Sequence, residues 1–240
     1  MSRPWRAVAD AYWAKELGCE EGKLFKEALH LKSHGEALAD YNGIFALFRE
    51  GRAIVSFPAK RMEQLASTLP ADDFSPEALA AHFDEQGYHV IGPAFVGYAG
   101  SLTEAGGAVR SLEESDRGIV HELREACSEP EWEHGGSELG NSPCSGSFEG
   151  GELAAFAGYE IWDDSIAHIC VVTHPRFRGR GHAKRAVGHL ARRAGDAGLV
   201  PQYRTLAANE PSMKVAADLG FQPYAWSVAA RLGERTQQER

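Results

Sequence analysis

The 240-residue chain is predicted to be a mixed α/β protein in two parts. Residues 1–105 read as a smaller α/β domain, and residues 106–240 as a mixed sheet layered with helices. Three observations carry this. Short apolar runs of strand character alternate with stretches of helical period along the whole chain. The small-residue segment "SLTEAGGAV" (101–109), with its Gly-Gly pair, separates two such series. The composition, 43% hydrophobic and 25% charged, is ordinary for a globular chain that needs neither metal nor disulfide staples.

Trp5, Val8, Tyr12, Trp13 and Leu17 fall at helical spacing, closed by Gly18. "YNGIFALFREGRAIVSFP" (41–58) reads as two strands about a turn at Glu50-Gly51. "AKRMEQLASTL" and "SPEALAAHF" read as helices, the second with Ser75 as N-cap and Pro76 at the first position. "YHVIGPAFVGYAG" (88–100) reads as strand broken at Gly92-Pro93. Beyond the boundary, "VRSLEESDRGIVHELREAC" predicts a short strand and a helix. "SEPEWEHGGSELGNSPCSGSFEGG" is rich in Gly, Ser and Pro and reads as irregular. "ELAAFAGYEIW" and "IAHICVVT" read as strands joined by a two-residue turn at Asp163-Asp164. "GHAKRAVGHLARRAGDAG" is helical, "PQYRTLA" a strand, "SMKVAADLG" a helix ended by Gly220, and "YAWSVAARL" a strand.

The net charge of −9 argues against nucleic acid as a partner, since such binders carry a basic face. Cys19, Cys127, Cys144 and Cys170 form no CxxC pair and read as free thiols of a reducing compartment. No apolar run is long enough to span a bilayer and no signal segment is apparent. The expectation is a soluble cytoplasmic protein with no membrane partner. Its oligomeric state is open, a homodimer included.

The segment "VTHPRFRGRGHAKRAV" (172–187) joins a strand to a helix. Ala183, Ala186, Val187, Leu190, Ala191 and Ala194 make one apolar face of that helix. Gly179 and Gly181 stand at its start, where free backbone N–H groups and the helix dipole favour an anion. Arg176, Arg178, Arg180, His182 and Lys184 add positive charge. A pyrophosphate suits this elbow. The segment has neither the Gly-Lys-Ser/Thr of a triphosphate loop nor GxGxxG.

This elbow resembles motif A of the GNAT acyltransferase superfamily, Arg/Gln-x-x-Gly-x-Gly/Ala, through Arg178, Gly181 and Ala183. Downstream, "NEPSMKVAADLGF" (209–221) resembles its motif B. The resemblance covers residues 106–240 and implies the GNAT fold with acetyl-CoA as co-substrate. The part before it reads as a second small α/β domain, either unrelated or a degenerate or partial GNAT repeat; it lacks the phosphate signature and is expected to shape the acceptor cleft. By resemblance, Val171, Val172 and Thr173 bond the acetyl and pantetheine groups. The backbone of Arg178, Gly179, Arg180, Gly181, His182, Ala183 and Lys184 holds the pyrophosphate, and Asn209 bonds the pantetheine. The implied activity is acetyl transfer to the amine of a small molecule by direct attack on the thioester. The alternative is a non-catalytic acyl-CoA-binding module.

Acetyl transfer to an amine needs a proton acceptor. If Val171 faces the acetyl group, Ala167 and Ile169 share its face and His168 points away. With a two-residue turn, Glu160 pairs with Ala167 and stands on the active face, which makes it the candidate base, direct or through water, with a surface or acceptor-binding carboxylate as the alternative; an odd loop length breaks that pairing. The tyrosine that many family members carry in motif B is replaced by Ala216. The thiolate's acid is therefore open among Ser212, Tyr224 and water. Trp132, His134 and Glu138 are candidates for contact with the acceptor, and no convincing metal cluster is seen.

Overall fold

The computed structural model describes residues 4–70, 73–103, 106–140 and 142–233. Glu104 and Ala105, at the expected boundary, lie outside the described residues. In chain order the elements are α1 (Trp5–Glu16), β1 (Leu29–Ser33), β2 (Gly43–Arg49), β3 (Arg52–Phe57), α2 (Met62–Ala66), α3 (Pro76–Glu85), β4 (His89–Tyr98) and β5 (Val109–Leu112). Then come α4 (Arg117–Ala126), α5 (Glu129–Gly135), β6 (Cys144–Glu149), β7 (Glu152–Trp162), β8 (Ile166–Thr173), α6 (His182–Asp196), β9 (Val200–Leu206), α7 (Glu210–Leu219) and β10 (Gln222–Arg231).

These residues gather into two compact units that interleave along the chain. One holds Trp5, Gly97–Arg204 and Glu210–Gln222; the other holds Arg6–Val96, Thr205–Asn209 and the chain from Pro223 onward. The sequence reading instead separates 1–105 from 106–240 at a single point.

In the unit that begins at Arg6, strands run in the order β1-β3-β2-β10, parallel between β1 and β3 and antiparallel elsewhere. Its core gathers Ile44, Ala46, Phe48, Val55, Phe57, Leu65, Leu79, Phe83, Val228 and Ala230. Ser75 caps α3 as its motif predicts, its hydroxyl accepting from the Ala78 amide at 3.1 Å. Strand β4 continues through Gly92-Pro93 rather than breaking there.

In the other unit the order is β9-β8-β7-β6-β5, with only β8 and β9 parallel. Alternation gives this sheet two distinct faces. Ser145 and Ser147 pair with Ala157 and Ala155, and their hydroxyls meet His189 and His182 of α6. That face carries α6, whose Ala186, Val187, Leu190, Ala191 and Ala194 are buried. The opposite face presents Phe156 and Val172 to Val120 and Leu123 of α4. Trp132 of α5 stacks on Phe156 at 5.9 Å.

Two elements depart from the sequence reading. The stretch read as irregular contains α5 and β6. Helix α5 starts with a capping box in which Ser128 and Glu131 satisfy each other's backbone N–H groups. The turn between β7 and β8 has three residues, because Trp162 pairs with Ile166.

Candidate active site

The parallel ladder of β8 and β9 runs from Ile166↔Val200 to Ile169↔Tyr203 and stops, while β8 continues to Thr173 and β9 to Leu206. The two strands thus part beyond Ile169. Val171, Val172 and Thr173 lie on the β8 side of this opening, and Val172 also packs into the core beneath α4. Helix α5 comes so close to β8 that a Cβ on Gly135 would stand 2.5 Å from the Val171 carbonyl oxygen. A side chain at Gly135 would push the helix off the strand.

The elbow follows from local chemistry. Pro175–Phe177 forms a 3-10 turn after β8. Gly181, at φ 79°, is the left-handed N-cap of α6, and Gly179 is also left-handed at φ 75°. Both positions suit a residue without a Cβ. The Arg185 amide makes the first helical bond, to the Gly181 carbonyl at 3.1 Å. The amides just before it have no partner within the helix. A Cβ on Gly179 would meet nothing within 4 Å, so the turn is open to an approaching group.

The side chains of the elbow are less free than their charge suggests. Arg178 pairs with Glu131 of α5 at 2.7 Å, and Lys184 with Asp218 of α7 at 3.2 Å. Arg176 pairs with Glu152, and Arg180 with Glu149 at 2.5 Å. His182 is 2% exposed and is locked between Ser147 at 2.9 Å and Glu149 at 2.7 Å. Its bond to Glu149, followed by that of Arg180, holds the Glu149 carboxyl below its ordinary range. The His182 side chain therefore fixes the start of α6, and only its amide is available to a ligand. Arg185 braces the same turn, donating to the Arg180 carbonyl at 2.9 Å.

The three-residue turn overturns the pairing on which the choice of base rested. Glu160 lies opposite His168, and Ile161 lies opposite Ala167. Glu160 therefore shares the face of His168, Cys170 and Val172, not that of Val171. Gln202 of β9 pairs with His168 and joins the same face. A buried network results. Gln202 donates through Nε2 to the Tyr98 hydroxyl at 2.5 Å, and its Oε1 lies 2.9 Å from His168 Nδ1. The Trp162 ring stacks on His168 at 3.9 Å and donates through Nε1 to Glu160 Oε2 at 3.3 Å. Burial, then the Arg204 charge, lowers the His168 pKa to about 4. Burial, then the Glu160 charge, raises the Cys170 thiol to about 11.

The remaining candidates are placed as follows. Ser212 and Tyr203 share a hydrogen bond at 2.9 Å, and burial pushes the Tyr203 hydroxyl up to about 12. Tyr224 donates to Asp10 at 2.8 Å and is buried. Ala216 is buried within α7. Asn209 directly precedes α7 and belongs to the unit that begins at Arg6. His134 is exposed and bonded to the Pro130 carbonyl at 2.6 Å. Among the described residues no cluster of three or more His, Cys, Asp or Glu side chains could hold a metal, and no helix is long and apolar enough to cross a membrane.

A parallel strand pair parts beside a glycine-capped helix start, and comparison with known proteins finds similarity over the same region. Residues 108–221 match the family described as Acetyltransferase (GNAT) family. An acetyltransferase from the GNAT family of Colwellia psychrerythraea shares the fold with TM-score 0.51 and 14% identity, covering 94% of this chain and 95% of that one. A GNAT-family protein from Novosphingobium aromaticivorans is 26% identical over 62% of this chain and 69% of its own, with TM-score 0.48. No curated protein matches.

Proposed function

We propose that the chain is an acetyl-CoA-dependent N-acetyltransferase acting on the amine of a small molecule. The observation that carries this reading is the parting of β8 and β9 after Ile169↔Tyr203, beside the glycine-capped start of α6. When bound, acetyl-CoA supplies the activated acetyl thioester. Its pyrophosphate is assigned to the amides of Arg178, Gly179, Arg180, Gly181, His182, Ala183 and Lys184, where the helix dipole favours an anion. Its pantetheine arm is assigned to the β8 edge at Val171, Val172 and Thr173. A backbone N–H of that edge also suits the oxyanion of a tetrahedral intermediate.

Glu160 is exposed at the end of β7, on the face of His168. It is assigned to drawing in a cationic amine and relieving it of its first proton, directly or through water. Ser212, tied to Tyr203, is assigned as a donor toward the thiol end of the cofactor.

Isothermal titration of acetyl-CoA into the protein tests the reading, with Arg178→Glu/Gly181→Glu as the control. Micromolar binding that the control loses is expected. Absence of binding to the unmodified protein would end it. Thiol release with an added amine then separates an enzyme from a module that only binds acyl-CoA.

A further inference from the structure

Resting on that reading, we infer that His168 is the proton shuttle of the transfer, with Gln202 and Tyr98 as the residues that position it. It stands one residue before the end of the β8–β9 ladder, at the closed end of the opening. Its surroundings fix which ring nitrogen is protonated. Gln202 uses its Nε2 on Tyr98, so its Oε1 is the acceptor toward His168. His168 Nδ1 then carries the hydrogen, and Nε2 keeps its lone pair. The Trp162 ring, 14° from parallel at 3.9 Å, holds the imidazole plane. The side chains of Gln202 and Tyr98 are completely buried, so the tautomer is set from the protected side.

The chemistry needs two proton transfers, and this face offers two groups. The amine enters as an ammonium ion and gives its first proton to Glu160, and thence to water. The amine lone pair attacks the thioester carbonyl carbon; the N–C bond forms and the carbonyl π pair moves to oxygen. The tetrahedral nitrogen, now positively charged, passes its second proton to His168 Nε2. The oxygen pair returns, the C–S bond breaks, and the sulfur leaves with the bonding electrons. The imidazolium then gives its proton to the thiolate, and neutral His168 is regenerated. A buried imidazolium is a strong acid, so it returns the proton readily. This step supplies the proton to the sulfur, toward which Ser212 is a hydrogen-bond donor only.

The charged and titratable groups around His168 are Glu160 on β7, Cys170 on β8, Arg204 on β9 and Tyr98 on β4. Glu160 favours the transient imidazolium, and Arg204 opposes its persistence.

The test has two arms. In the first, long-range 15N–1H NMR of the full chain assigns the His168 ring by its loss in His168→Gln. A proton on Nδ1 and a bare Nε2 at neutral pH are expected; a proton on Nε2 overturns the proposal, with or without an acceptor in hand. In the second, thiol release is followed from pH 5 to 10 with tyramine, spermidine and glycyl-phenylalanine as acceptors. His168→Gln is expected to lower kcat by about a hundredfold or more while acetyl-CoA binding by titration stays within twofold. Gln202→Leu, which frees the ring tautomer, is expected to lower kcat with KM for acetyl-CoA unchanged. Full kcat in His168→Gln overturns the shuttle. Loss of acetyl-CoA binding in the unmodified protein would instead overturn the reading on which it rests.

Discussion

At the scale of single residues, His168 shows how burial sets both a chemical role and a pH signature. Its pKa is lowered from 6.5 to about 4, first by burial and then by the Arg204 charge. The folded state therefore binds fewer protons than the unfolded chain between those values, and stability falls as pH drops from about 6.5 to about 4. His168→Asn removes that titration. Its melting temperature is expected to fall less steeply than that of the unmodified protein over this window and to run parallel above it. Parallel curves throughout would contradict the assignment. Cys144 and Cys170 follow the same logic, with burial pushing both thiols to about 11. At pH 8 they are expected to react with a thiol reagent far more slowly in the folded protein than in denaturant.

At the scale of elements, the start of α6 was legible in the sequence because two independent signals coincide there. The apolar stripe from Ala183 to Ala194 sets the helix, and the paired glycines set its left-handed cap. Helix α5 lies in a stretch that reads as irregular, although its signal is present. Ser128 and Glu131 have capping-box spacing, with Pro130 in the first turn, but the surrounding glycines and serines outweighed them. Strand β6 gave little to read, since in "CSGSFE" only Phe148 is large and apolar. The turn after β7 is one residue longer than its sequence predicts. Asp163 and Asp164 both take positive φ, as a two-residue turn would require, yet Ser165 also belongs to the loop. One residue of register moved Glu160 to the other face and brought His168 onto its own.

The bridge from α5 to α6 also belongs to this scale. Glu131 both caps its helix and holds Arg178 at 2.7 Å. A bound pyrophosphate would compete with it for Arg178. Glu131→Gln is expected to tighten acetyl-CoA binding roughly 1.4- to fivefold, matching about 0.2–1 kcal/mol for an exposed ion pair. Ser128→Ala weakens the cap by about 1 kcal/mol but leaves the pair in place, so it should not tighten binding. Titration calorimetry on both variants separates the two effects.

At the scale of the whole molecule, the sequence conveyed the order of strands and helices but not which strands would share a unit. Pairing partners far apart in sequence leave no local pattern. β10 joins β2, from Trp226↔Phe48 to Arg231↔Gly43, and so belongs with residues from the first half of the chain. Val228 contributes to the core of Ile44, Ala46 and Val55. Val228→Ala is expected to cost about 2 kcal/mol and to lower the melting temperature by roughly 4–8 °C. A comparable loss from a solvent-facing strand position such as Arg52→Ala would count against this account.

The pairing of β10 with β2 also governs the order in which the chain can mature. As the protein is made, β2 and β3 leave the ribosome early, but the strand that covers the outer edge of β2 emerges only near residue 231. At ordinary elongation rates that interval lasts on the order of ten to forty seconds. Throughout it, an apolar strand edge built around Ile44, Ala46 and Phe48 stands open beside other nascent chains. Closure of that edge waits for the synthesis of β10.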